Sequence, residues 1–296
     1  MRILLFGANG FLGRHILVAL REGGCDVVPF GTSRSERISM ALDISDAAEF
    51  APFEMNADVL VNLAARVPKS GDSSPPVAHM MSVNASGAAH VADFAARCGA
   101  KRVIYASTLS VVARPWPVPL TEQAPTYPLG SAAAYAASKL AGELVSASIA
   151  EKHGMSHASL RFSALYGVGM PWFGVLPTFI AQATSGEVLR AARATCADFL
   201  HVDFAADAVA RAATSDCSGV FNVASGMETS IMDLAAMVLR LSKRSTRDIQ
   251  TIESPESRAI VDISKAKKAF GYTAQESREY GIPELIAAYQ RQGKCA

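Results

Sequence analysis

Met1-Arg2-Ile3-Leu4-Leu5-Phe6-Gly7-Ala8-Asn9-Gly10-Phe11-Leu12-Gly13 opens the chain. Arg2 to Gly7 is a short apolar run that reads as one strand. Gly7, Gly10 and Gly13 then fall in a Gly-x-x-Gly-x-x-Gly pattern. Behind them Leu12, Ile16, Ala19 and Leu20 recur at helical spacing until Gly23-Gly24 stops the helix. Strand, glycine turn and helix in this order meet three physical demands. The turn must be tight, the backbone must approach a pyrophosphate closely, and a helix N-terminus must aim at negative charge. The turn is therefore predicted to bind a dinucleotide, with Gly7, Asn9, Gly10, Phe11, Leu12 and Gly13 as contacts. Three glycines alone also fit a ligand-free turn. Their place between the first strand and the first helix is what decides.

The same alternation continues outward. Cys25 to Phe30, Asp58 to Ala64 and Lys101 to Thr108 are apolar runs, and another strand lies within Ser156 to Gly167. Between them, Val83 to Gly99 is Ala-rich and helical, and Ser131 to Gly154 reads as a long helix ending in glycine. Continuous apolar strands separated by helices predict a doubly wound parallel sheet of Rossmann type, covered on both faces. The expected division is a dinucleotide-binding domain over 1–167 and a smaller substrate lobe over 168–296. The chain is expected to return partly to the sheet near 199–223, where Val220 to Val223 is a short strand.

The chain has 296 residues, of which 50% are apolar and 19% charged, so it can bury a core and is not disordered. A net charge of +1 argues against bulk nucleic-acid binding, which asks for a basic face. The five cysteines, Cys25, Cys98, Cys196, Cys217 and Cys295, include no C-x-x-C pair. Zinc and a disulfide framework lack support, and unpaired thiols fit a reducing, cytoplasmic compartment. The N-terminal run is read as the first strand of a folded domain rather than a signal peptide, and no membrane span is expected. The expected partner is a small molecule, with no metal.

An NAD site usually offers a carboxylate at the end of the second strand. Here that strand ends Phe30-Gly31-Thr32-Ser33-Arg34, with hydroxyls and a guanidinium instead. Ser33 and Arg34 are suited to a 2′-phosphate, so the residues favour NADP. The alternative is NAD, with Arg34 solvated and a carboxylate such as Asp43 serving the adenosine beside Ile44.

Tyr135 and Lys139 stand four apart in a helical stretch and so share a face. A neighbouring ammonium is expected to lower the tyrosine pKa, making Tyr135 a proton donor or acceptor at a carbonyl or alcohol. By themselves the two also fit an ordinary surface pair. Ser107-Thr108-Leu109-Ser110 follows the fourth strand, at the sheet edge where ligands bind. A hydroxyl there can hydrogen-bond the substrate oxygen that changes charge.

Together these features resemble the extended short-chain dehydrogenase/reductase family, in its NAD-dependent epimerase/dehydratase branch. GANGFLG resembles its nucleotide turn, and LDISD (Leu42 to Asp46) its adenine-side motif. DVLVNLAA (Asp58 to Ala65) is similar to the strand whose tail, Leu63, Ala64 and Ala65, runs along the cofactor. Asn84 sits where the family keeps a structural asparagine. YASTLSVV (Tyr105 to Val112) resembles the catalytic strand, with Thr108 at the active hydroxyl position. Tyr135 and Lys139 fit the tyrosine–lysine pair. RFSALYG, DFLHVD, GVFNVASG and KKAFGY resemble later landmarks.

The resemblance implies hydride transfer at a carbon bearing oxygen, with catalytic Thr108, Tyr135 and Lys139, and substrates that are nucleotide-linked sugars or related keto compounds. It also implies a homodimer through the helices around Ala88 to Ala96 and Ala136 to Ala150. There are departures from the family pattern. Leu109 and Ser110 replace the acidic pair of the dehydratases. Ala164 and Ala197 replace a frequent asparagine and arginine. Arg161 and Arg193 are then the cationic candidates for a phosphate. The expected function is reduction of a keto group. The alternatives are an NAD-dependent sugar-nucleotide epimerase and a non-catalytic nucleotide-sensing or interaction protein. His201 is expected to be packed, and Trp116 and Trp172 to flank the cleft.

Overall fold

The computed structural model describes residues 1–68, 76–130 and 132–293; Ser131 and Cys295 lie outside them. In chain order the nucleotide side runs β1 (Arg2–Phe6), α1 (Phe11–Glu22), β2 (Asp26–Gly31), β3 (Met40–Ala41), β4 (Val59–Asn62), α2 (Val77–Met81), α3 (Gly87–Arg97), β5 (Arg102–Thr108), α4 (Ala133–Lys152) and β6 (Ser156–Phe162). The remainder runs β7 (Ala164–Tyr166), α5 (Val175–Ser185), β8 (Leu189–Ala192), β9 (Cys196–His201), α6 (Val202–Thr214), β10 (Gly219–Val223), β11 (Glu228–Ser230), α7 (Ile231–Leu241), β12 (Ile249–Ile252), α8 (Ser264–Phe270) and α9 (Arg278–Gly293).

Seven strands form one sheet in the order β10-β6-β5-β4-β1-β2-β3, with every neighbouring pair parallel. The side-chain period of two divides each strand between two cores. Ile3 and Leu5 of β1 point into one core, with Val59 and Val61 of β4 and Ile104 of β5. α1, α6 and α8 cover that face. Leu4 and Phe6 point the other way, with Leu60 and Val103, into a core closed by α3. Burial on both faces is why these strands read as unbroken apolar runs rather than alternating ones.

The order reverses at β1, which lies between β2 and β4. Connections leave that point in opposite directions, so a crevice opens beyond the C-terminal ends of β1 and β4. A smaller α/β lobe stands beyond that edge. It holds a three-stranded sheet, β11-β9-β7, and the parallel pair β12-β8. Its core gathers Phe179 and Ile180 of α5, Leu234 and Val238 of α7, and Ile282 and Leu285 of α9. The Arg244 guanidinium donates to the carbonyls of Gln182, Ala183, Gly186 and Glu187 and to Asp248 Oδ2 at 2.8 Å. It thereby serves the carbonyls that end α5, which have no partner within the helix. No described helix is long and apolar enough to cross a membrane.

Between α2 and α3, Ser82–Ser86 is a π-helical turn rather than a continuation of the α-helix. Such turns redirect side chains and collect at functional sites. Asn84 lies inside it.

Candidate active site

The glycine turn is held by the strand beside it. The N–H groups of Gly7 and Ala8 both donate to Phe30 O, at 3.1 and 3.0 Å. Gly7 has φ +81, where a side chain is strained, and a Cβ there would stand 2.7 Å from Ala64 N. A Cβ at Gly13 would stand 2.8 Å from Ala8 Cα. Helix α1 thus begins directly against the turn. Its N-cap, Gly10, supplies no side-chain hydrogen bond, leaving the first-turn N–H groups for an anion.

Two hollows that share Gly7, Gly10, Leu63, Ala65 and Arg66 in their linings lie at the C-terminal edge of the sheet. One, of about 350 Å³, lies beside β1 and β2 and is lined by Gly7, Asn9, Thr32, Asp43, Ile44 and Ala64, among others. Asp43 Oδ1 accepts from Ser45 N at 2.9 Å and Ser45 Oγ at 2.8 Å, which fixes the carboxylate on its loop. His79 also lines this hollow, a contact that no motif in the sequence signals. Ser33 and Arg34 do not line it. Ser35 and Ile38 exchange backbone hydrogen bonds at 3.2 and 3.1 Å, and Ser33 and Arg34, just before this bridge, are exposed.

The second hollow is a cleft of about 690 Å³ between the sheet and the lobe. Gly10, Phe11, Leu12, Gly13, Leu63 and Ala65 reach it from the nucleotide side, and Thr108, Tyr135 and Lys139 all face it. Thr108 ends β5, and its Oγ1 accepts from Ser110 N at 3.1 Å, leaving the hydroxyl proton to donate. Ser107 Oγ beside it is buried without a partner. The lobe side is apolar, with Met170, Phe173, Val175, Leu176 and Phe199 among its residues. No carboxylate or imidazole is among the described residues lining the cleft.

Tyr135 and Lys139 sit on one face of α4. Tyr135 keeps part of its surface open, yet burial pushes its phenol up to about 12. Lys139 is 1% exposed, and burial pulls it down to about 7 against the opposing pull of Glu143. The expected lowering of the tyrosine by the lysine is therefore not the dominant effect in the chain itself. Desolvation outweighs it, and both groups lean neutral. Lys139 Nζ has no hydrogen-bond partner and stands 4.3 Å from the Tyr105 ring centroid.

Asn84 ties these parts together. Its Oδ1 accepts from Arg66 N at 2.7 Å, and its Nδ2 donates to Arg66 O at 3.0 Å and Ser138 Oγ at 2.8 Å. Ser138 Oγ donates in turn to Tyr135 O at 2.7 Å. One buried amide thus joins the loop after β4 to the turn of α4 that carries Tyr135. Tyr105 Oη donates to Asn84 O and Lys139 O at 3.2 and 3.3 Å. Gly142 lets α4 approach this closely, since a Cβ there would collide with Asn84 O and Tyr105 Oη.

Other sequence candidates lie elsewhere. Arg161 is not available to a phosphate, because its Nε and Nη2 donate to Glu143 at 3.2 and 2.6 Å in a buried pair. Arg193 pairs with Glu253 at 3.1 Å on the surface. His201 packs between Tyr166 and Tyr280. Trp116 donates to Val112 O, Trp172 packs on Tyr289, and neither lines the cleft.

The glycine cradle, the partnerless Lys139 Nζ and the carboxylate at the far end of the two hollows fit a dinucleotide. Residues 3–224 match the model of the NAD-dependent epimerase/dehydratase family. A UDP-glucose 4-epimerase of Mycolicibacterium smegmatis is 27% identical, over 99% of this chain and 100% of that protein. The dTDP-glucose 4,6-dehydratase DesIV from Streptomyces venezuelae, solved with NAD bound, superposes at a TM-score of 0.84 with 20% identity, covering 100% of this chain and 98% of the other. MoeE5 in complex with UDP-glucose and NAD gives 0.81 with 23% identity and 99% coverage of each chain. The expectation of NADP is thereby corrected. The similar structures hold NAD, and the carboxylate Asp43, not Ser33 or Arg34, faces the hollow.

Proposed function

The chain belongs to the NAD-dependent epimerase/dehydratase family, and we propose that it is an epimerase of a nucleotide-linked sugar, inverting one secondary alcohol carbon. The observation that carries this reading is the composition of the cleft wall. Among its described residues, Thr108, Tyr135 and Lys139 are suited to serve an alcohol oxygen, and none is a carboxylate or imidazole. Dehydration, or epimerisation through a carbon-bound proton, calls for such a base. Removing and returning the hydrogens of one alcohol does not.

Gly7 to Gly13, Asp43 and Lys139 would hold NAD, which when bound would supply reversible hydride transfer at the alcohol carbon. Tyr135 Oη takes the hydroxyl proton as oxidation proceeds and gives it back on return. The Thr108 hydroxyl donates to the same oxygen and holds it against Tyr135. Lys139 stabilises the phenolate stage and binds a ribose hydroxyl. The apolar lobe wall excludes water while the keto stage exists. The nucleotide-linked sugar is supported by the relatives, foremost the mycobacterial UDP-glucose 4-epimerase. The keto-reductase expectation leaned on NADP, and the family and relatives favour the epimerase alternative over it.

The test begins with protein purified without added cofactor. Acid-released NAD is quantified, and UDP-hexoses are then incubated with the enzyme in D₂O. The reading expects about stoichiometric NAD and interconversion of epimers with no deuterium on carbon. Turnover only of keto sugars with added NADH, or solvent deuterium entering the ring, would overturn it.

A further inference from the structure

We propose that Glu143, clamped by Arg161, is a positioning residue that favours the charged form of Lys139 against desolvation and keeps its side chain seated at the cleft floor. The proposal rests on the reading of Lys139 as a site residue and concerns how the fold maintains it. Tyr135, Lys139 and Glu143 follow at four-residue steps on α4, so they form one column from the cleft inward. At the inner end Arg161, from β6, grips both Glu143 oxygens, and the two side chains are 6% and 4% exposed. Lys139 Nζ, one turn nearer the cleft, makes no hydrogen bond with protein and remains turned toward the site.

The charged and titratable surroundings can be named element by element among the described residues. On α4 they are Tyr135 and Glu143. On β5 there is Tyr105, whose ring lies under Nζ. On β6 there are Arg161 and His157, the latter bonded to Ser146 Oγ at 2.9 Å and pushed down to about 4 by burial, hence neutral at working pH. Arg66, after β4, and Tyr166 of β7 also line the cleft. Glu143 is thus the carboxylate in Lys139's own column, and it opposes desolvation there. The Arg161 fork occupies both Glu143 oxygens, so Glu143 acts on the ammonium by field rather than by drawing it out of the site. A buried pair that only joined helix to sheet would be replaceable by a neutral pair without effect on Lys139.

The test compares the wild-type chain with Glu143→Gln and with Glu143→Gln/Arg161→Gln. The second variant leaves two neutral amides and no uncompensated buried charge. The pH titration of Lys139 is followed by the NMR shift of its labelled Cε carbon, assigned by the signal's loss in Lys139→Met. Thermal melting reports folding, and NAD affinity is measured at pH 8. Glu143→Gln should lower the midpoint by about one pH unit or more. It should also weaken NAD binding by about tenfold at pH 8. The double variant should fall between the single variant and wild type, since the repelling guanidinium is also gone. A midpoint at or above the wild-type value in either folded variant overturns the proposal. No substrate is needed, so a failure of the epimerase reading would leave this result intact and separately readable.

Discussion

Replacing Lys139 by methionine should make the protein more stable while disabling it. Lys139 is almost fully buried, with no hydrogen-bond partner, and burial pulls its pKa to about 7. An unfolded chain restores it to about 10.4. The folded-state value is the lower one, so the charged lysine opposes folding at every pH below the unfolded value. At pH 7 the linkage between these two values corresponds to about 4 kcal/mol. Methionine has a similar stem, fills the same space and carries no charge. At about 2 °C per kcal/mol for a chain this long, the melting temperature should rise by about 8 °C. The pH dependence is the sharper part of the prediction. The advantage of the variant is fully present at and below about pH 7. It shrinks as the wild-type lysine loses its proton, and it vanishes toward about pH 10. The assay is thermal unfolding of both proteins in a series of buffers from acid to alkaline. A Lys139→Met protein no more stable than wild type at neutral pH, or an advantage that does not shrink with pH, refutes the reasoning.

Three further outcomes are expected. Tyr135→Phe should fold normally and bind NAD, yet lose about 10²–10⁴ in turnover, measured as the rate of epimer interconversion. Gly142→Ala should cost about 3 kcal/mol or more by denaturant unfolding and lower activity, because its methyl group meets Asn84 O and the Tyr105 hydroxyl with no room to yield. Arg244→Met leaves the last carbonyls of α5 without their donor and should cost about 1.5–3 kcal/mol, with faster hydrogen exchange at that helix end.

The glycine turn was legible in the sequence because its requirement is sharp. Gly7 and Gly13 stand where a Cβ would enter backbone atoms, so the letters themselves record the geometry. The tyrosine–lysine pair was legible because one helical turn brings both to one face. What escaped depends on residues far apart in sequence. Arg161 looked like a phosphate ligand until Glu143 closed on it from α4. Asn84 was recognisable only by resemblance, while its actual work depends on Arg66 and Ser138. The cofactor reading failed for a local reason. Ser33 and Arg34 stand just past β2, exposed beside the backbone bridge between Ser35 and Ile38, while Asp43 lines the hollow from the loop after β3. The lobe strands β7 and β11 are three residues each and pair with the distant β9, too short for any period to show.

The place of β10 bears on how the chain is made. β6 pairs with β5 on one side and with β10 on the other, and β10 comes only after β7, α5, β8, β9 and α6. At roughly 5–20 residues per second, a ribosome spends several seconds between finishing β6 and finishing β10. Through that interval Leu160 and Phe162 sit on an open strand edge, a template for pairing with another nascent chain. Tyr272, whose hydroxyl donates to Ala224 O at 2.8 Å, secures the strand's exit only later. Chaperones should therefore hold stalled chains that stop short of residue 219 and release those that extend past residue 272. The hazard in making this enzyme lies in the order of synthesis, since its first half waits on its second to close the sheet.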